Sequence, residues 1–349
     1  MVHVRRFFAG SNSGKGFHSF FDNIIGPEAK RIYLLKGGPG TGKSSFMRYL
    51  ADEVGKRGHD YELFFCSSDP GALDAVSFPE LGIAMLDATH PHVMEPQWPG
   101  CRDQILSLGS FWSSDVLEAK RAMIMEGGRI KQEHFAEAFR YFAAALALED
   151  NIAARNAANR ACCDEEIAVI KDRLFSSGSN PNQVHGRIRR LFASALTPEG
   201  YVSHIQSLVQ GLREVFILQG GPGTGKHEHL SAICKAAQEA GFDVEAFYYP
   251  LDPGKLLHVI IPDLHLAVLS ELHLERLSNV KGHRIICGPE DVSDSTGDGA
   301  LREELLKRGY NALSQAKSSH IRIEKFYSDA MDFAALSAYR EEILAQILL

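Results

Sequence analysis

The hydrophobic pattern runs through the same series twice. Ile32 to Leu35 is a short apolar and aromatic run that predicts a strand over 31–36. A glycine-rich turn follows, then a helix from about 44 to 57. Phe46, Met47, Leu50 and Val54 share one face of it, and Gly58 supplies a C-terminal stop. Tyr61 to Cys66 predicts a second strand and Gly82 to Asp87 a third, apolar enough to be buried on both faces. After residue 184 the series restarts, with strands near 214–219, 243–249 and 264–269 and a further one at Arg284 to Cys287. Strands alternating with helices at this spacing predict an α/β fold, a parallel sheet flanked by helices.

The stretches between are less regular. In residues 1–30, Phe7, Phe8, Phe17, Phe20 and Phe21 give an apolar side, while Gly10 to Gly16 is polar and expected as a plain connection. Residues 91–112 form a loop rich in proline and aromatics. Residues 114–175 predict two helices. The first ends at Gly127-Gly128, and the longer one carries Phe135, Phe139, Phe142, Leu146, Ile152 and Ile167, expected as a cover on the sheet. Ser176 to Asn182 has the composition of a linker. An acidic loop at 290–299 precedes two closing helices, about 300–325 and 333–348.

The repetition is literal. Gly-Gly-Pro-Gly-Thr-Gly-Lys at 37–43 recurs at 220–226, and residues 37–90 align without a gap to 220–273 with 21 identities in 54 positions. Asp69-Pro70-Gly71 matches Asp252-Pro253-Gly254, and His90 matches His273. Arg5-Arg6-Phe7-Phe8-Ala9 corresponds to Arg189-Arg190-Leu191-Phe192-Ala193. The chain is read as a tandem duplication, with domains at 1–183 and 184–349. The period is far too long for a solenoid.

Gly37, Gly42, Lys43 and Ser44 fit the pattern Gly-x4-Gly-Lys-[Ser/Thr] between a strand and a helix. Glycines let successive backbone N–H groups turn toward phosphate oxygens, and a helix N-terminus adds unsatisfied donors. The expected nucleotide-binding residues are Gly37, Gly38, Pro39, Gly40, Thr41, Gly42, Lys43, Ser44 and Ser45. Lys43 reaches the β- and γ-phosphates, and the Ser44 hydroxyl ligates Mg²⁺. Asp87, ending an apolar strand, is the expected second Mg²⁺ group, against the alternative of a structural turn residue. Lys43, Asp87 and His90 are the catalytic candidates, with His90 either orienting a nucleophile or packing. No Glu follows Asp87, which argues against fast hydrolysis. Asp69, and Glu80 with its counterpart Asp263, read more simply as turn residues than as acceptor groups.

The second loop supplies Gly220, Gly221, Gly223, Thr224, Gly225, Lys226 and His227. His227 replaces the hydroxyl of Ser44, and Ser270 replaces Asp87. Phosphate binding without efficient metal assistance is expected there, from a weak site or a scaffold. His227 and His229 are closely spaced, but no Cys or third His completes a metal set nearby in sequence, so no metal site is expected. The paired arginines Arg5-Arg6 and Arg189-Arg190 read as fold-supporting salt bridges rather than as an arginine finger.

The first loop resembles the Walker A loop of the P-loop NTPases, closest to their ATPase branches. As a whole, the chain resembles a prokaryotic family of tandem P-loop ATPases. The likeness rests on Phe8-Ala9-Gly10, Gly37 to Ser45, Leu86-Asp87-Ala88-Thr89-His90-Pro91-His92 and Met331-Asp332-Phe333. It implies two tandem P-loop NTPase domains with helical additions and an ATP- and Mg²⁺-binding protein, and it leaves the protein or small-molecule partner open. The expected activity is slow ATP hydrolysis at the first loop. The alternatives are a small-molecule kinase, with residues 91–112 closing over an acceptor, or a non-catalytic nucleotide switch. Only Arg102, Arg121 and Arg129 stand where a kinase lid needs arginines, which lowers that option.

Composition changes this picture little. A formal charge of −7 argues against nucleic acid as a partner. No apolar run is long enough to span a bilayer, and the N-terminus lacks a signal-peptide core. Six scattered cysteines read as reduced thiols in a cytoplasmic protein.

Overall fold

The computed structural model describes residues 2–90, 93–161, 163–176, 185–289 and 296–348. Cys162, Pro91-His92, most of the expected linker at 176–182 and much of the expected acidic loop at 290–299 lie outside the described residues.

The first half begins with β1 (Val4–Phe8) and a hairpin of β2 (Gly10–Ser13) and β3 (Gly16–Ser19). Then come β4 (Arg31–Lys36), α1 (Lys43–Lys56), β5 (Tyr61–Phe65), β6 (Leu73–Phe78), β7 (Ile83–Asp87) and β8 (Asp103–Ser107). Three helices complete it, α2 (Ser114–Ala119), α3 (Arg121–Asn156) and α4 (Asp164–Ser176). The second half repeats the order: β9 (Ile188–Leu191), β10 (Ser194–Thr197), β11 (Gly200–Ser203), α5 (Ile205–Val209) and β12 (Glu214–Gln219). It continues with α6 (Lys226–Glu239), β13 (Val244–Tyr248), β14 (Leu256–Ile261), β15 (Leu266–Ser270) and β16 (His283–Ile286), and ends with α7 (Asp298–Ala330) and α8 (Phe333–Ile347).

Each half builds a six-stranded sheet. The orders are β1-β5-β6-β7-β4-β8 and β9-β13-β14-β15-β12-β16, so every strand has its counterpart. The sheets are mixed, not parallel. β4 lies parallel to β7 and β8, but β6 runs antiparallel to both β5 and β7, and β14 does the same in the second half. The sequence hid these two strands because each follows an Asp-Pro-Gly turn, and all six residues of β6 are buried, which leaves no alternation to read. β4 carries a near-continuous apolar run, as a strand covered on both faces does.

Three expectations are corrected. The polar stretch 10–16 is no plain connection: it is the β2–β3 hairpin, and β2 joins β10 in a four-stranded sheet made by both halves. The loop at 91–112 contains β8. The Gly127-Gly128 pair does not end a helix, because α3 runs straight through it. Its role is clearance, since a Cβ on Gly127 would lie 3.0 Å from Cγ1 of Ile323 on α7. Gly309 of α7 is placed likewise, its absent Cβ 2.3 Å from the Phe142 ring of α3. With Phe142 also packed on Tyr310 and Lys131 beside His320, α3 and α7 form one antiparallel pair.

The pairing crosses the halves, and so does the packing of the last helices. α8, from the second half, buries Leu336, Ile343, Leu344 and Ile347 with Phe46, Met47 and Leu50 of α1. α4, from the first half, buries Ile167, Ile170 and Leu174 with Leu230 and Ile233 of α6. Each sheet thus carries the terminal helix of the other half.

A cluster of charges sits on the same junction. Glu62 of β5 accepts from Arg189 at 2.6 and 2.9 Å and from Arg5 at 3.3 Å, and Glu245 of β13 accepts from Arg5 at 2.7 Å. Glu62 and Glu245 are buried. The first arginine of each predicted pair is therefore a structural partner of buried carboxylates, and the finger alternative has no support at Arg5 or Arg189.

Candidate functional site

The first glycine loop joins β4 to α1. Gly40 and Gly42 take φ of +71° and +88°, values an L side chain adopts only with strain, and Gly42 caps α1 without a side-chain hydrogen bond. Thr41 Oγ1 donates to the Gly38 carbonyl at 2.8 Å and pins the loop on itself. Lys43 folds back, donating to the carbonyls of Gly37 (2.9 Å) and Gly38 (2.7 Å), with Asp87 Oδ2 3.5 Å away. Asp87 Oδ1 accepts the Thr89 N–H at 2.9 Å, and the Thr89 hydroxyl donates to the Gly37 carbonyl at 3.0 Å. Ser44 Oγ accepts the Leu73 N–H at 3.0 Å, which ties the start of α1 to the start of β6.

These groups open onto a cleft of about 560 Å³, also lined by Pro39, Ser45, Asp69 and the exposed His90. Asp69 Oδ1 accepts the Gly71 N–H at 3.3 Å, the turn role expected of it, and meets Lys317 Nζ at 2.9 Å. Arg102 bonds Asp103 and Arg129 bonds Glu126, so neither reaches the cleft.

The far wall could not be read from the motifs. It comes from α3 and α7 and brings Lys131, Phe135, Lys317, His320 and Glu324. Lys131 makes no carboxylate ion pair among the described residues; burial lowers the pKa of its ammonium. Burial, with Lys131 and Lys43 nearby, also lowers His320 to about 4, so its ring is neutral at pH 7. Burial and the neighbouring Asp69 raise Glu324. α7 touches the loop directly: a Cβ on Gly38 would lie 2.3 Å from the Tyr327 ring, and one on Gly40 would lie 2.5 Å from the Glu324 carbonyl oxygen. Lys43 and Lys131 line the cleft at a helix N-terminus and suit an anion, while Lys317 is paired with Asp69 and Glu199; the Ser44 and Asp87 oxygens suit a hard divalent cation.

Residues 17–102 match the family model described as Nephrocystin 3, N-terminal. The matched stretch takes in the first loop, Asp87 and His90 and is less than half of the chain. No curated protein and no solved structure matches.

The second loop keeps the backbone and changes the chemistry. Gly223 and Gly225 take φ of +84° and +91°, and α3 touches the loop as α7 touches the first, with a Cβ on Gly223 2.0 Å from the Ala153 carbonyl oxygen. His227 Nδ1 accepts the Leu256 N–H at 2.8 Å, the structural bond of Ser44 made by an imidazole. Ser270, at the position of Asp87, is buried. Lys226 donates to the Gly220 carbonyl and is itself buried, which lowers its pKa to about 8. The cleft is smaller, about 250 Å³. Four residues before the helix–loop contact, the first cleft has His320 and the second has Glu149. Burial raises Glu149, and it accepts from Tyr249 at 2.9 Å. Arg160 and Asn156 close the loop from outside, donating to the carbonyls of Gly223 and Pro222 at 2.9 Å.

His273, counterpart of His90, is packed away, and burial lowers it to about 3. His229 is not isolated from cysteine as its sequence neighbourhood suggested, because Cys163 and Cys287 both reach it.

Proposed function

We propose that the chain is a Mg²⁺-dependent ATP-binding protein that hydrolyses ATP slowly at the first loop, the second copy serving as a structural or regulatory partner. In this reading the chain holds two tandem P-loop domains, at 1–183 and 184–349. The observation that carries it is the contrast between the clefts. The Ser44 and Asp87 oxygens line the first beside Lys43, whereas His227 and Ser270 stand at those positions in the second beside Lys226.

The residues fit a divalent cation: Ser44 Oγ and Asp87 are hard oxygens lining one cleft, and Lys43 stands between Asp87 and the loop carbonyls. Ser44 and Asp87 would hold Mg²⁺ there, and the ion would supply positive charge against the charge that develops on the transferring phosphoryl. Lys43 leaves the Gly37 and Gly38 carbonyls to hold phosphate, and Lys131 adds charge from the opposite wall. Ala88 and Thr89 follow Asp87, so no carboxylate next to it polarises a water, which keeps turnover slow.

A second reading, a nucleotide-held switch without turnover, draws on the seating of α7 against Gly38 and Gly40. Phosphate release separates the two. Release that requires Mg²⁺ and disappears in Lys43→Ala supports the enzyme; nucleotide binding with no release above that control leaves the switch. Absence of both binding and release removes the proposal.

A further inference from the structure

Behind the second loop, three soft donors meet from three distant points of the chain. Cys163 Sγ lies 3.3 Å from His229 Nε2 and 3.3 Å from Cys287 Sγ, and all three donor atoms fall within 4.8 Å of one another. Cys163 and Cys287 are buried and His229 is half-buried. Each is fixed by its backbone. The Cys163 carbonyl accepts the Ile167 N–H at 3.0 Å at the start of α4, and the His229 N–H donates to Gly225 at 3.1 Å in the first turn of α6. The Cys287 N–H donates to Gln219 at 2.8 Å, while its carbonyl accepts from Ala161 at 2.9 Å.

We propose that Cys163, His229 and Cys287 form a zinc-class metal site that fastens the first half's helical arm to the second glycine loop. Tetrahedral Zn²⁺ with bonds of about 2.3 Å to sulfur and about 2.0 Å to nitrogen sets its ligands roughly 3.5–3.8 Å apart. The two spacings from Cys163 Sγ are a few tenths of an ångström shorter and the third lies within 4.8 Å, differences that side-chain rotation accommodates. Two thiolates and an imidazole select Zn²⁺ over the hard cations Mg²⁺ and Ca²⁺. Binding releases one proton from each thiol, so the loaded site is neutral overall. That suits its surroundings, the apolar cluster of Ile167, Ile170, Leu230, Ile233 and Ile285. Cys163 comes from the first half and the other two from the second, so the metal spans the junction where Arg160 and Asn156 already close the loop. It organises the copy whose Mg²⁺ ligands are gone.

The test uses the full chain, purified without chelator, with zinc measured by elemental mass spectrometry. About one zinc per chain is expected, and Cys287→Ser and His229→Gln should each weaken zinc binding by about 100-fold or more. His229→Gln, at the half-buried position, keeps the test valid if a cysteine variant misfolds. Added Co²⁺ should give thiolate charge-transfer absorption that Cys163→Ser weakens. Zinc content unchanged across the variants, no Co²⁺ spectrum at stoichiometric metal, or a Cys163–Cys287 disulfide in the mapped peptides would each overturn the site.

Discussion

Replacing Glu62 by Ala tests the charged junction between the halves. Glu62 accepts from Arg189 at 2.6 and 2.9 Å, from Arg5 at 3.3 Å and from the Ser77 hydroxyl at 2.9 Å. Its removal leaves two arginines sharing Glu245 and a buried hydroxyl without this acceptor. Breaking a buried pair by deleting one partner costs about 3–5 kcal/mol. The side chains of Arg5 and Arg189 retain 20% and 25% of their exposure, so water relieves part of the loss and the lower end, about 3 kcal/mol, applies. With a urea slope of about 3 kcal/mol/M for a chain of this size, the midpoint should fall by about 1 M. The sign with pH is fixed by Glu62 itself. Burial alone would raise its pKa, but Arg189 and Arg5 outweigh burial and hold it below the usual glutamate value. Its contribution is therefore complete above the ordinary glutamate pKa of about 4.5 and is lost as pH falls through the depressed folded value. Urea titrations at pH 7 and under acid conditions, followed by far-UV circular dichroism and tryptophan fluorescence, measure both effects. Trp112 packs on Tyr327 of α7, so its emission reports directly on contact between the halves. A Glu62→Ala midpoint within about 0.3 M of wild type at pH 7, below the roughly 1 kcal/mol that this slope makes decisive, would refute the reasoning. So would a gap between the two proteins that persists undiminished in acid.

Lys43→Ala should abolish most phosphate release, whereas Lys226→Ala should cost far less; equal losses would mean the second loop also works. Gly40→Val forces a branched side chain into a left-handed conformation 2.5 Å from the Glu324 carbonyl. It should cost more than about 2 kcal/mol and weaken nucleotide binding at least tenfold, read by calorimetry. Because burial raises Glu149, its carboxylate opposes folding as pH rises through the usual glutamate range. Glu149→Gln should therefore raise the urea midpoint at pH 7 and leave it unchanged in acid.

Local pattern carried the strands that lead into the two glycine loops. β4 and β12 lie where the apolar runs at 31–36 and 214–219 predict, and the glycine loops follow them directly. What local pattern could not carry was anything assembled at a distance. Lys131 and Lys317 face the first loop from helices whose sequence announces only an amphipathic surface. Cys163 and His229 stand 66 residues apart and Cys163 and Cys287 stand 124 apart, so no ligand spacing was there to find. Glycine misled at Gly127, where a residue that commonly stops helices makes room for Ile323 instead. The Asp-Pro-Gly turns were legible, but the buried strands after them were not, and those strands make the sheets mixed.

The reciprocal exchange of terminal helices has a consequence for any attempt to work with one half alone. A polypeptide cut between Ser176 and Ile188 gives two fragments, each bearing a helix that fits only the other. Isolated, the N-terminal piece leaves the α1 surface around Met47 and Leu50 bare, and the C-terminal piece leaves Leu230 and Ile233 uncovered. Neither is expected to fold alone, yet together they hold every contact of the intact molecule, so co-expression should rebuild it as a heterodimer.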